Sequence, residues 1–131
     1  MKKLIFALGV LIACGMFTAF TLMAGPFEDV ISAIKQGDAA SLGKNLDNTV
    51  EINMMGKSNS YSKAQAEIIL KDFFSKNTVK SFELIHKGGQ EGSGFFGVGT
   101  LVTSAGSYRI SFFLQKKGTT FVLNELRFEN K

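Results

Sequence analysis

Residues Val79 to Glu129 read VKSFELIHKGGQEGSGFFGVGTLVTSAGSYRISFFLQKKGTTFVLNELRFE. Apolar and polar side chains alternate along most of this stretch with a period of two, the period of a β-strand. Strands are predicted over Val79 to Lys87, Gly94 to Thr103, Ser107 to Gln115 and Thr119 to Glu129. The intervening segments, Gly88 to Ser93, Ser104 to Gly106 and Lys116 to Gly118, are too short for crossover helices. Four antiparallel strands in a meander follow.

One parity of the meander is apolar: Phe82 and Leu84; Phe96, Val98 and Val102; Tyr108, Ile110, Phe112 and Leu114; Val122, Leu126 and Phe128. The opposite parity carries Glu83, Lys87, Arg109, Ser111, Glu125, Arg127 and Glu129. A sheet with one apolar face needs a second layer, and the segments upstream supply it. Gly97 and Gly99 fall on the polar parity in this reading, where they would ease a bend of the strand around a helix. Phe113, Phe121 and Leu123 fall there too, an apolar patch on a nominally wet face that points to a homodimer contact.

Upstream, Phe27, Val30, Ile31 and Ile34 recur at helical spacing between Pro26 and Lys35, with Gly37 placed to close the helix. Asp38 suits the N-cap of a short helix from Ala39 to Leu46. Val50, Ile52 and Met54 alternate as a strand ending at Gly56, and Lys57 to Ser60 reads as a polar loop. Ser62-Lys63-Ala64-Gln65 has capping-box spacing and opens a helix that carries Ala66, Ile69, Leu70 and Phe73 on one face and stops near Asn77. Phe73 and Phe74 are adjacent, so they cannot both face the sheet. The fold class is α+β: N-terminal helices packed on a curved antiparallel meander sheet.

With 131 residues the chain has room for one domain. Met1-Lys2-Lys3, an apolar run from Leu4 to Phe20, and Ala24 before Gly25-Pro26 have the layout of a signal peptide over residues 1–24, leaving a single domain over 25–131. The protein is expected to be exported, periplasmic or secreted. An uncleaved anchor is one rival, since Leu4 to Ala24 is long enough to span a bilayer. Lipidation at Cys14 in Leu11-Ile12-Ala13-Cys14 is another, and the apolar run after Cys14 argues against it because a lipid-anchored chain continues as a polar tether. Membrane association is expected only through this segment or that lipid.

Cleavage would remove Lys2 and Lys3 from a formal charge of +4, together with the single cysteine. Disulfides, thiolate catalysis and cysteine-ligated metals are then excluded. The remaining basic residues are interleaved with acidic ones, which argues against nucleic acid.

Tyr61-Ser62-Lys63-Ala64-Gln65-Ala66, Asp72-Phe73-Phe74, Ser81-Phe82, His86-Lys87-Gly88, Gly99 to Thr103 and Gly106-Ser107-Tyr108-Arg109 together resemble a family of small secreted Bacteroidota proteins of unknown function. The likeness covers residues 26–130 and implies a nuclear transport factor 2-like, cystatin-like fold. It implies no catalytic residues.

Gly92-Ser93-Gly94-Phe95-Phe96-Gly97 matches G-x-G-x-x-G, but a strand follows it where a dinucleotide or phosphate site needs a helix. No cofactor is expected. His86 is the one histidine, too few for a zinc site. By parity with Phe82 and Leu84 it points into the concave side, where Tyr108 and Phe96 would join it, with Tyr61 at the start of the long helix. These four residues are the candidate ligand-binding set, and no carboxylate falls on the apolar parity of the meander to support proton transfer. The leading expectation is a non-catalytic binding or interaction domain. It would take a small apolar ligand on the concave face or a protein partner on the sheet surface, with a homodimer through the outer face. The alternative is a small hydrolase- or isomerase-like enzyme using His86 with Tyr61 or Tyr108.

Overall fold

The computed structural model describes residues 25–131, so residues 1–24, read as a signal peptide, and Cys14 within them lie outside the described residues. The described chain runs α1 (Pro26–Gln36), α2 (Ala39–Asn45), β1 (Leu46–Met54), β2 (Lys57–Ser62), α3 (Lys63–Lys76), β3 (Val79–Gln90), β4 (Gly94–Thr103), β5 (Gly106–Lys117) and β6 (Thr120–Asn130). The strands form one six-stranded sheet in the order β2-β1-β6-β5-β4-β3, with the helices packed on one face.

The helix boundaries follow from local chemistry. Gly37 closes α1 with φ 63°, its N–H donating to Ile34 O at 3.1 Å while Asp38 N–H donates to Ala33 O at 2.9 Å. These two bonds satisfy carbonyls that a helix end leaves unpaired. Asp38 then caps α2, accepting from the Ser41 N–H at 3.1 Å and the Ser41 hydroxyl at 2.7 Å. Ser62 and Gln65 form the reciprocal capping box that opens α3.

The meander from β3 to β6 is antiparallel as the short separators require. Two features depart from the sequence reading. Lys57 to Ser62, read as a loop over Lys57 to Ser60, is a strand paired with β1 through a two-residue turn in which Met55 and Gly56 have φ 51° and 88°. Its polar sequence suits an edge strand, where pairing with one neighbour suffices. And β1 lies parallel to β6, so the complete sheet is mixed. Nothing local announces that contact, because the crossover joining the two strands contains α3 and the rest of the sheet.

Three further corrections concern which way side chains point. In β4 the residues facing the helices are Phe95, Gly97, Gly99, Leu101 and Thr103, not Phe96, Val98 and Val102. Gly99 is on the covered face because the Phe82 ring lies over it: a Cβ there would come within 2.6 Å of the ring. In β6 the pairing shifts between Phe113/Glu125 and Leu114/Leu123, leaving Asn124 as the extra residue of a bulge. Parity reverses across it, so Phe121 and Leu123 join the core and Val122 turns away. In β3 the pairing skips Ile85, so His86 lies opposite Val98 on the open face and Lys87 opposite Gly97 on the covered one.

The core lies between α1, α3 and the covered face, where Phe112, Phe128, Leu101, Ile110, Leu114, Leu123 and Leu126 are buried with Val30, Ile34, Leu42 and Leu70. Phe73 and Phe74 are both buried. The Phe73 ring packs over the sheet, 4.7 Å from Phe128 and 5.4 Å from Tyr108, and Phe74 packs at the corner formed by Gly37. Among the described residues, no helix is long and apolar enough to cross a membrane.

Candidate functional site

The candidate ligand set does not assemble. Tyr108 faces the helices as expected, but its hydroxyl donates to Asn77 Oδ1 at 2.8 Å and its ring meets Phe73 edge-on. Asn77, just past the end of α3, is buried and donates in turn to the Phe73 carbonyl at 2.9 Å. Thr103 Oγ1 lies 3.5 Å from the same Asn77 oxygen and donates to the Gly106 carbonyl at 2.8 Å. This polar node joins the helix end to the β4–β5 turn. Every part of it is occupied by the protein itself, and the space above Tyr108 is filled by Phe73. Sequence reasoning missed Asn77; its one signal was a polar amide at a helix C-terminus, a common surface feature.

Tyr61 is half-buried on β2 opposite Val50, at one edge of the sheet. His86 is exposed on β3 at the other edge and on the opposite face. Phe96 shares that open face, 41% exposed. The concave-side placement of His86 and Phe96 is therefore corrected. The bulge at Ile85 moves His86, and the covered glycines of β4 move Phe96. His86 stands on the opposite face from both tyrosines, and Tyr61 on the edge strand β2 is separated from Tyr108 on β5 by β1 and β6, so no two of them share a reacting centre. Among the described residues no group of three or more metal-ligating side chains converges.

What the structure does assemble is an apolar patch on the open face. Phe96 and Phe113 are cross-strand partners, 41% and 36% exposed, with Val98 beside them. They line a shallow hollow of about 270 Å³ together with Ser111, Glu125 and Arg127. Ile85, displaced at its bulge, is 49% exposed on the neighbouring strand. Charges of both signs border the patch. Arg127 Nε donates to Glu125 Oε1 at 3.2 Å, Arg109 stands opposite Glu129, and Glu51 lies beside Glu125 in the β1–β6 register. Of the three outer-face apolar residues the sequence singled out, Phe113 is there, whereas Phe121 and Leu123 are in the core.

A larger hollow, about 790 Å³, lies between the α1–α2 corner and α3. Asp38 and Glu67 both line it, and Asp38 is committed to Ser41, whose hydroxyl and N–H hold its carboxyl below its ordinary range. Asp47 is held low as well, first by the Lys117 ammonium 2.7 Å away, an ion pair that ties the start of β1 to the end of β5.

Helices gathered on one face of a six-stranded sheet define a cystatin-like, nuclear transport factor 2-like α+β domain. Two solved structures show the same architecture at 11% identity. One is a Nostoc punctiforme domain of unknown function with a cystatin-like fold, TM-score 0.62, covering 81% of this chain and 73% of that one. The other is an NTF-2 like protein of unknown function from Silicibacter pomeroyi, TM-score 0.60, covering 91% and 98%. The match to the family described as Domain of unknown function (DUF4783) spans residues 27–129, and the chain belongs to that family. A crystallised DUF4783 family protein from Bacteroides uniformis is 32% identical, with a TM-score of 0.77, covering 79% of this chain and 95% of that one. No curated protein matches the chain significantly.

Proposed function

We propose that residues 25–131 act, after export to the periplasm or beyond, as a non-catalytic interaction domain that pairs with a second copy of itself through the open sheet face. The observation that carries this reading is the exposed Phe96–Phe113 pair, two large rings side by side with Val98 on the face that also bears Ser111, Glu125 and Arg127. Solvated sheet faces ordinarily alternate polar residues, and a contiguous apolar patch marks a contact surface. The bordering charges support a second copy as the occupant. In a two-fold contact a patch meets itself, so it needs both signs within reach, and Arg109 and Arg127 alternate with Glu125, Glu129 and Glu51. The layout of Met1 to Ala24 supports export. The filled space above Tyr108 and the separation of His86 from both tyrosines favour surface pairing over an internal ligand or catalysis.

The domain can be tested alone: its core closes within Val30 to Phe128, and the crystallised Bacteroides relative consists almost wholly of the matching region. Sedimentation at micromolar concentration is expected to show a dimer. Phe113→Asp sets a carboxylate beside Glu125 in the patch and is expected to weaken pairing by about 100-fold, leaving a folded monomer by circular dichroism. A wild-type monomer at millimolar concentration would overturn the reading.

A further inference from the structure

The turn end of the sheet holds a groove that the paired face does not use. Phe27, in the first turn of α1, and Phe95, on β4, form its apolar sides, with ring centroids 6.3 Å apart in an edge-on arrangement. Behind them Phe112 lies 5.4 Å from Phe27, and Phe121 lies 5.0 Å from Phe95, so the two rings rest on further aromatic groups. Gly88 and Gly89 give the remaining wall as bare backbone. Gly89 has φ 113°, and a Cβ there would collide with the Gly94 carbonyl, so the wall stays bare for steric reasons. The groove measures about 360 Å³. That is the lower end of the roughly 300–1,000 Å³ range of small-molecule sites.

Lys87 supplies the charge. The bulge at Ile85 reverses the strand's parity and brings Lys87 to the helix side, where it lines the groove. Lys116 shares that side through its pairing with Phe121. The groove's described lining contains no acidic side chain. An apolar trough with a cation at its lip is complementary to one kind of small molecule.

We infer that this groove binds a free single-chain anionic amphiphile, an alkyl or aryl carboxylate whose tail lies on Phe27 and Phe95 and whose headgroup meets Lys87. The inference is independent of pairing through the open face, since Lys87 and the two rings lie on the helix side of the sheet. A bilayer surface is the poorer occupant: adhesion to anionic lipid draws on a cluster of cations, and the lining offers a single lysine and a recess rather than a protruding apolar face.

The test is a heteronuclear NMR titration of labelled residues 25–131 with decanoate, with decyltrimethylammonium as the tail-matched cation and anionic phosphatidylglycerol vesicles as a third arm. Decanoate is expected to saturate shifts at Phe27, Lys87, Gly88, Gly89 and Phe95 with Kd about 0.1–1 mM, below its micelle-forming range. Lys87→Glu should weaken decanoate by about fivefold without weakening the cation. Lys57→Glu, on the far edge hairpin, should leave both unchanged. Equal affinity for the two detergents, shifts centred on Phe96 and Phe113, no saturation below micelle formation, or binding to vesicles alone would each overturn the inference. Loss of the Phe113-centred dimer would leave it standing.

Discussion

Phe112 and Phe113 are neighbours in the chain with opposite circumstances. Phe112 is 2% exposed, touching the Phe27 ring beneath the helices, and Phe113 is 36% exposed beside Phe96. The covered face contains large side chains fitted around glycines, with its buried polar groups Asn77 and Thr103 bonded within the protein, as Asn77 is to Tyr108. On the open face the rings have no helix above them and the charges stand in water. One sheet thus presents a surface that its own chain completes except at the groove beside Lys87, and a surface that it leaves open.

The contrast can be broken most forcefully at that pair. Phe112→Ala is expected to cost about 3–5 kcal/mol of unfolding free energy, from lost transfer and the cavity left behind. Phe113→Ala should stay within about 0.5 kcal/mol for the monomer. Urea titrations of the two variants, at concentrations below dimer formation, check the difference; similar losses would erase the distinction between the faces. A smaller effect sharpens it along β4. Gly99→Ala drives a methyl group into the Glu83 carbonyl and the Phe82 ring and is expected to cost about 1–3 kcal/mol. Val98→Ala, one residue away on the open face, should cost less, read as the shift in urea midpoint.

The smallest effect concerns pH. The Asp47 carboxyl sits below its ordinary value of 3.8 chiefly because it accepts from Lys117. A folded-state value below the unfolded one gives stability that is present above the unfolded value and lost as pH falls through the folded one. Asp47 should therefore contribute in full at pH 5 and above, begin to lose its contribution as pH falls past 3.8 and lose the rest below that, through its lower folded value, with Asp47→Asn removing that dependence. The contribution should be under about 1 kcal/mol because Lys117 is mostly solvated. Midpoints measured between pH 3 and 6 for both proteins check the sign.

The helices were legible because their signals are confined to a few residues. Gly37, Asp38 and the Ser62–Gln65 pair act on amides and carbonyls within one turn, and each does what its position implies. The open-face patch was half legible. Phe113 was found by parity, but Phe96 was assigned to the wrong face, because β4 carries apolar residues on both parities and its glycines mark where neighbouring rings lie. His86 was misplaced through one extra residue in β3. A bulge has no dependable sequence signature, since the partner strand decides whether a residue is skipped. Lys87, read as an outward charge, reached the groove by the same bulge.

From the amino-acid order alone came the succession of helices and strands apart from β2, the antiparallel run from β3 to β6 and the single-domain α+β class. These depend on spacings of two to four residues and on connections too short to go elsewhere. Tertiary structure alone decided the parallel contact of β1 with β6, the faces of Phe96, Phe121, Leu123, His86 and Lys87, and the closing of the space above Tyr108. Each of these depends on which distant side chains compete for one volume, and that competition is settled only when the layers pack.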